Sequence, residues 1–358
     1  MRILFLAPAN NYHTKKWVRY FVSRDYEVHV ISLTTGMIEG AQIHLLNTSA
    51  GTDDSDFKKL SYLSCVKNVG DLVKTIEPDI ISVHYASSYG SLAAFALRQK
   101  YALSVWGSDV YSFPNKSAFH KALLKLNLQR ASLLMSTSYA MANELKLYSS
   151  KEAYITPFGV DTEFFSPSKR QRSSAKFVFG NIKSLSPEYG IDTLIEAAAV
   201  LKHKRPDIDF EVRIGGKGPL EIEYKNLAKS LGIDDNIIWL GFISQTQVAN
   251  EWANFDVAVI SSNQESFGVS ALEAQACGIP VIISDIDGLK EATNPGVSSL
   301  VVKKGDSATI ADYLIKFYED RELASSMGMR GREYVLKHFE LNTCFKAIEN
   351  VLLKVTKD

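Results

Sequence analysis

The sequence predicts an α/β protein made of two doubly wound parallel-sheet domains facing one another across a cleft. Three observations carry this expectation. The chain has 358 residues, more than a single hydrophobic core usually serves. Short β-branched or apolar runs alternate with longer helical patterns in both halves, as right-handed βαβ crossovers and sheets covered on both faces require. Between the halves, residues 166–174 are polar and lack apolar periodicity, as a linker would.

The elements follow in order. The opening Met-Arg-Ile-Leu-Phe-Leu-Ala-Pro is too short for a signal peptide, and polar Asn10 and Asn11 follow at once, so residues 3–7 read as a buried strand. Further strands are expected at 27–32, 80–83, 103–106 and 133–137, with helices near 14–23, 61–76, 90–99, 117–129 and 139–148. Thr14 offers an N-cap for the first helix. The second half repeats the pattern, with strands at 176–181, 209–214, 237–240, 257–260 and 281–284 and helices at 191–202, 220–231, 245–253 and 269–277. Gly278 suits the left-handed position past a helix end, and Pro280 cannot continue a helix. The tail, about 342–355, is amphipathic through Phe345, Ile348, Val351 and Leu352. The expected domains are therefore 1–165, joined by a terminal helix at about 342–358, and 175–341.

Composition narrows the class. Apolar content of 46% and charged content of 22% are ordinary for a globular enzyme. A formal net charge of zero argues against nucleic acid as a partner. Through residue 165 there are 17 Lys/Arg against 14 Asp/Glu, an imbalance that permits a peripheral membrane contact without demanding one. The helix at 117–129, with Phe119, Leu123 and Leu126 beside Lys116, Lys121, Lys125 and Arg130, is the stretch for such a contact, although an ordinary half-buried helix is the plainer reading. No run of eighteen apolar residues exists. Cys65, Cys277 and Cys344 lie far apart with no metal-type spacing, which fits a reduced, cytoplasmic setting.

The stretch 264–280 is the most informative. Glu265 stands before a Ser266-Phe267-Gly268 turn, and Glu273 follows eight positions later in an alanine-rich helix beginning at Val269. A helix start there presents unpaired N–H groups and a partial positive charge, a seat for phosphate. Two glutamates bracketing it suit the sugar and ribose hydroxyls of one nucleotide-sugar.

Glu265 and Glu273 with this turn resemble the E-x7-E signature of retaining, GT-B-fold glycosyltransferases of family 4. Residues 157–165 (Pro-Phe-Gly-Val-Asp-Thr-Glu-Phe-Phe), the Gly215-Gly216-Lys217-Gly218-Pro219 turn and the Ser284-Asp285-Ile286-Asp287-Gly288 loop are similar to further family segments. The resemblance covers most of the second half and is looser in the first. It implies that Glu265 faces the donor sugar and that Glu273 binds ribose. The backbone of Phe267, Gly268 and Val269, with Ser266, would then hold the distal phosphate. Lys183 stands as the diphosphate clamp, whereas Tyr189 occupies the place where relatives usually carry a lysine. Gly215 and Gly216 let backbone approach the donor, and Ile243 and Ser244 read the base.

In the first half, His84 ends a strand and is either a catalytic residue or a structural histidine. Asp109 either orients an acceptor hydroxyl or caps the next helix. Asn11, His13 and Lys16, in the first strand-to-helix loop, are acceptor contacts. Trp106 replaces a histidine common among relatives, which unsettles any carry-over of that role. Three D-x-D triplets, at 54–56, 207–209 and 285–287, imitate another transferase fold's metal motif; a helix terminus plus a lysine removes the need for a divalent ion, so no metal and no cofactor are expected. The implied activity is transfer of a sugar, from a UDP-linked donor, to a carbohydrate or lipid-linked hydroxyl in surface polysaccharide or oligosaccharide synthesis, at the cytoplasmic face of a membrane. The alternatives are a nucleotide-sugar epimerase of similar fold and a non-catalytic two-lobed sugar-binding protein.

Overall fold

A computed structural model describes residues 1–47, 60–170 and 176–356. The chain divides into two units, Met1–Phe158 with Thr343–Asp358, and Gly159–Asn342. Each has its own core.

The first unit is a seven-stranded sheet, ordered β3-β2-β1-β4-β5-β6-β7, with every pairing parallel. Its strands are β1 (Arg2–Leu6), β2 (Glu27–Ser32), β3 (Ala41–Leu45), β4 (Ile80–His84), β5 (Ala102–Val105), β6 (Leu133–Ser136) and β7 (Ala153–Ile155). β1 is central, so Ile3, Leu4, Phe5 and Leu6 are wholly buried, as an apolar run flanked by parallel neighbours should be. Helix α1 (Tyr12–Ser23) buries Thr14, Trp17, Val18 and Phe21, one stripe of a 3.6-residue period. Its N-cap is Asn11, whose Oδ1 accepts from His13 N at 2.8 Å and Thr14 N at 3.3 Å; the expected cap, Thr14, is buried inside the helix. The remaining helices are α2 (Val66–Ile76), α3 (Ser88–Ala96), α4 (Ser108–Tyr111), α5 (Ala118–Arg130) and α6 (Tyr139–Leu145). In α5 the core side is Leu123, Leu124 and Leu128, while Phe119 is exposed.

The second unit is a six-stranded parallel sheet ordered β10-β9-β8-β11-β12-β13. It comprises β8 (Phe177–Ile182), β9 (Phe210–Gly215), β10 (Ile237–Gly241), β11 (Val257–Ile260), β12 (Val281–Ser284) and β13 (Ser299–Val302). Its helices are α7 (Ile191–Lys204), α8 (Glu221–Ser230), α9 (Gln245–Ala253), α10 (Val269–Ala276), α11 (Asp287–Ala292), α12 (Ser307–Glu319) and α13 (Arg321–His338). Strand order reverses at β8 and β11, the switch point where ligands of such sheets bind.

The boundary between units falls before the polar stretch that resembles a linker. Gly159–Arg170 belongs to the second unit because Phe165 is buried and the Arg332 guanidinium donates to the carbonyls of Thr162 and Phe165, each at 3.2 Å. Residues 171–175 of that stretch lie outside the described residues. Helix α14 (Leu341–Leu352) packs its later turns on the first unit. Phe345 stacks on Tyr20 with centroids 5.2 Å apart. Glu349 accepts from the hydroxyls of Tyr20 at 2.9 Å and Tyr26 at 2.8 Å. Burial, then these bonds to a carboxylate, push both phenols up to about 12. No helix among the described residues is long and apolar enough to cross a membrane.

Candidate functional site

The site of the second unit grows from the ends of its two switch-point strands. β8 runs directly into Lys183, and β11 leads through Ser261–Gln264 to Glu265. The lysine Nζ lies 2.8 Å from Glu265 Oε2, with only 15% and 8% of the two side chains exposed. Burial works against the Lys183 charge but is outweighed by Glu265, Tyr189 and Glu273, so its ammonium is held above the ordinary lysine range. The same Nζ sits 4.6 Å from the centre of the Tyr189 ring.

Glycine determines how α10 begins beside this pair. Gly268 has φ +93°, and a Cβ there would lie 2.8 Å from Leu289 Cδ2. The Gly268 carbonyl accepts from Ala271 N at 3.0 Å and Leu272 N at 3.2 Å, which leaves the earlier N–H groups of Gly268, Val269 and Ser270 as the helix's orphan donors. Ser270 Oγ donates to the carbonyl of Ile182 at 3.2 Å, fastening the helix start to the end of β8. Phe267 is buried edge-on to Phe339, with centroids 5.4 Å apart, which fixes the turn from behind. Glu273, one turn into the helix, is 8% exposed and accepts from Trp252 Nε1 at 3.4 Å. The sheet thus brings Glu265, Ser266, Phe267, Gly268, Val269, Glu273 and Lys183 to one end of the unit.

Two other expected contacts have different explanations. A Cβ at Gly216 would lie 2.0 Å from the carbonyl of Lys183, and one at Gly218 would lie 2.2 Å from that of Leu185. Absence of a side chain there lets the 215–219 loop pack on the 183–185 segment, where Leu185 N donates to Lys217 O at 3.1 Å. These glycines are explained by loop against loop; Gly215 itself packs against Ile182 and Ile243. Ser244 is the N-cap of α9 in a capping box: its Oγ accepts from Gln247 N, and its own N–H donates to Gln247 Oε1 at 2.9 Å. That N–H of Ser244 is therefore occupied within the cap.

Of the aspartate triplets, Asp207 pairs with Arg205, Asp209 with Lys176, and both Asp285 and Asp287 with Lys290. Residues 54–56 lie outside the described residues. No group of three or more metal-ligating side chains occurs among the described residues.

In the first unit the structure separates residues that sequence grouped. His84 is wholly buried, ringed by Trp17 and Trp106 at 4.6 Å each and Phe5 at 5.5 Å, with Ser82 Oγ 3.3 Å from Nε2. Burial drives its pKa down to about 3. It is a core histidine kept neutral by burial, which fits the structural of the two roles read for it rather than the catalytic one. Asp109 is buried, and its carboxylate accepts from the N–H groups of Ala86 and Gly107 at 2.8 Å and Trp106 at 3.1 Å. From inside α4 it holds the backbone of residues 86, 106 and 107 and caps no following helix, and no exposed oxygen remains for an acceptor. Asn11 caps α1 and donates to the Tyr85 hydroxyl at 3.4 Å. His13 stacks on Phe158 at 3.9 Å, and Lys16 Nζ donates to the Phe158 carbonyl at 3.4 Å. These three are partly exposed and lie at the N-cap and in the first turns of α1, not in a loop. Trp106 touches His84, Tyr85 and Phe158 and donates through Nε1 to Ser104 Oγ at 3.0 Å, a packing role that no sequence signal announced.

Two all-parallel doubly wound units in one chain are the architecture of the GT-B class. The family model described as Glycosyl transferases group 1 matches residues 163–334, and Glycosyl transferase 4-like matches residues 2–138. The putative glycosyltransferase EpsD of Bacillus subtilis is 31% identical over 96% of this chain and 94% of its own. The D-inositol 3-phosphate glycosyltransferase of an Arthrobacter species is 36% identical over 49% of this chain, and that match spans 44% of the relative, so the chain aligns with less than half of it. Among solved structures, sucrose-phosphate synthase from Thermosynechococcus elongatus has a TM-score of 0.87 at 18% identity, covering 99% of each chain. Anabaena HepE, solved with UDP-glucose, has a TM-score of 0.81 at 20% identity, covering 99% of this chain and all of its own. The chain belongs to the family-4 glycosyltransferases of GT-B fold.

Proposed function

We propose that this chain is a retaining hexosyltransferase that moves a sugar from a UDP-sugar to a hydroxyl acceptor without a metal ion or other cofactor. The observation that carries the reading is the buried Lys183–Glu265 ion pair, 2.8 Å long, beside the N-terminus of α10 at the switch point of the second sheet. A nucleoside diphosphate leaving group is anionic. The Lys183 ammonium and the orphan N–H groups of Gly268 and Val269 meet that charge as it develops, and donors fixed in advance lower the barrier without reorganising. Glu265 takes hydroxyls of the transferred sugar, Glu273 takes the ribose, and backbone groups of Ile243 take the base. Lys183 and the helix dipole supply the positive charge that a divalent ion provides in other transferases.

In the proposed step the bond between the anomeric carbon and the diphosphate oxygen breaks, and the acceptor oxygen bonds to that carbon on the same face. The acceptor proton passes to the departing phosphate, so the products are a glycoside and the nucleoside diphosphate. Asn11, His13 and Lys16 supply the acceptor contacts. The acceptor class, a surface polysaccharide or lipid-linked oligosaccharide, and a site of action at the cytoplasmic face of a membrane rest on the family resemblance and on a small basic excess in the first half of the chain. Exposed Phe119, beside Lys116 and Lys121, supports a peripheral contact there.

The test is UDP release from a UDP-sugar panel with Glu265→Gln beside the wild type, with the product anomer assigned by NMR and a chelator arm included. Loss of turnover in a folded Glu265→Gln, a retained anomer and indifference to chelator support the reading. Donor interconversion without acceptor would mark an epimerase, and binding without turnover a carbohydrate-binding protein.

A further inference from the structure

We infer that Tyr189 is a positioning residue for Lys183, its ring fixing the ammonium for the leaving phosphate where a second cation could have stood. The inference rests on the donor site proposed above. An ammonium has three N–H donors and one point charge on a flexible stem, so a lysine that binds phosphate well must be held before the phosphate arrives. Glu265 holds Lys183 on one side at 2.8 Å but also neutralises it. The face of the Tyr189 ring, 4.6 Å from Nζ, holds it on another side through the ring quadrupole and leaves the charge intact. Burial, partly offset by Lys183, keeps the phenol above its ordinary pKa, so the ring is a neutral partner. One N–H is then left for a phosphate oxygen.

The backbone that carries the ring is fastened to the segment that leads into Glu265. Tyr189 ends a 3-10 turn, Pro187–Tyr189. The Glu188 carbonyl accepts from Asn263 N at 2.8 Å and Gln264 N at 3.0 Å. Asn263 Nδ2 donates to Pro187 O at 2.9 Å, and Ser261 Oγ donates to Gly190 O at 2.6 Å. Gly190 has φ +57°, and a Cβ there would lie 2.1 Å from Ser261 O, so only glycine permits this approach. Four hydrogen bonds thus tie the backbone on either side of Tyr189 to residues 261–264, the segment that leads into Glu265.

The experiment titrates the full chain with UDP and with GDP by calorimetry and carries the tighter nucleotide forward. Position 189 is then varied through Tyr189→Phe, Tyr189→Leu and mono-, di- and trifluorophenylalanine, which keep ring shape while weakening its quadrupole. The expected result is affinity within about twofold for Tyr189→Phe and a loss of about tenfold for Tyr189→Leu. A stepwise fall across the fluorinated series is also expected, with unchanged Tm and unchanged affinity for the bare nucleoside. A flat fluorinated series, or Tyr189→Leu binding like Tyr189→Phe, overturns the role of Tyr189 while nucleotide binding by the wild type leaves the donor site standing. A wild type that binds neither nucleotide overturns both.

Discussion

Replacing Lys183 with alanine should damage stability and turnover together, and a second change should separate the two. The partner carboxylate of Glu265 is 8% exposed and 2.8 Å from the lysine, so Lys183→Ala strands a buried charge. Breaking a buried pair from one side costs about 3–5 kcal/mol, which for a unit of this size lowers its transition by roughly 6–20 °C. The lysine pKa is raised in the folded state, so its contribution is fully present below the unfolded lysine pKa, neutral pH included, and is lost only as pH rises through the folded value. Loss of one fixed donor to the leaving group should separately reduce kcat by roughly a hundredfold. The double variant Lys183→Met/Glu265→Gln replaces the ion pair with neutral groups of similar volume. It should regain most of the stability and none of the turnover. Denaturant melts and UDP-release kinetics on the three proteins decide the matter. Wild-type turnover in Lys183→Ala would refute the argument, and so would recovery of turnover in the double variant.

Other consequences are independent of this pair. Gly268→Ala puts a Cβ 2.8 Å from Leu289 Cδ2 at φ +93°, so a destabilisation of about 1–3 kcal/mol and weaker UDP binding are expected by melt and calorimetry; an unperturbed protein would contradict the turn geometry. His84 has a folded pKa of about 3 against 6.5 unfolded. As pH falls below 6.5 the unfolded chain takes a proton the folded one refuses, and stability drops by on the order of 1.4 kcal/mol per pH unit down to about 3. Urea titrations at pH 5 and 7 should show that loss in the wild type and a smaller one in His84→Phe; equal slopes would count against a neutral buried ring. Asp109→Asn exchanges one of the two acceptor oxygens for an amide facing N–H donors. It should cost about 2–4 kcal/mol while leaving UDP affinity in the folded protein untouched, and a selective loss of acceptor reactivity at full stability would restore its reading as an acceptor contact.

Much of this was legible in the residues. Apolar runs such as Ile3–Leu6 and Val281–Ser284 marked central strands because parallel strands are buried on both faces. The glycine-led turn at Gly268 announced the start of α10, and Gly278, at φ +74°, follows its end in the left-handed region. β3 escaped notice because it is an edge strand: Ala41–Leu45 is half-exposed, and its apolar residues are diluted by Gln42 and His44. β7, three residues long, carries too little pattern to detect. Helices α12 and α13 were within reach, since Asp306 and Asp320 cap them through Thr309 N and Leu323 N.

The site was half legible for a related reason. Sequence shows which residues follow a strand or precede a helix, and the structure brings two residues so read, Lys183 and Glu265, to 2.8 Å. It does not show whether a polar side chain is already satisfied. His84 ends a strand just as Lys183 follows one, yet three aromatic rings enclose it. Asp109 follows a strand as an acceptor contact would, yet it lies in α4 and three backbone N–H groups occupy it. Ser244 looked available until the capping box claimed its N–H. Tyr189 read as a missing cation, and only the 4.6 Å approach of Lys183 gives the ring a part of its own.

The most direct test is a crystal structure of the protein with UDP bound. The account predicts the distal phosphate within hydrogen-bond reach of the Gly268 and Val269 N–H groups and of Lys183 Nζ, with the ribose at Glu273. Nucleotide density away from the start of α10, or a phosphate that leaves Lys183 wholly to Glu265, would contradict it.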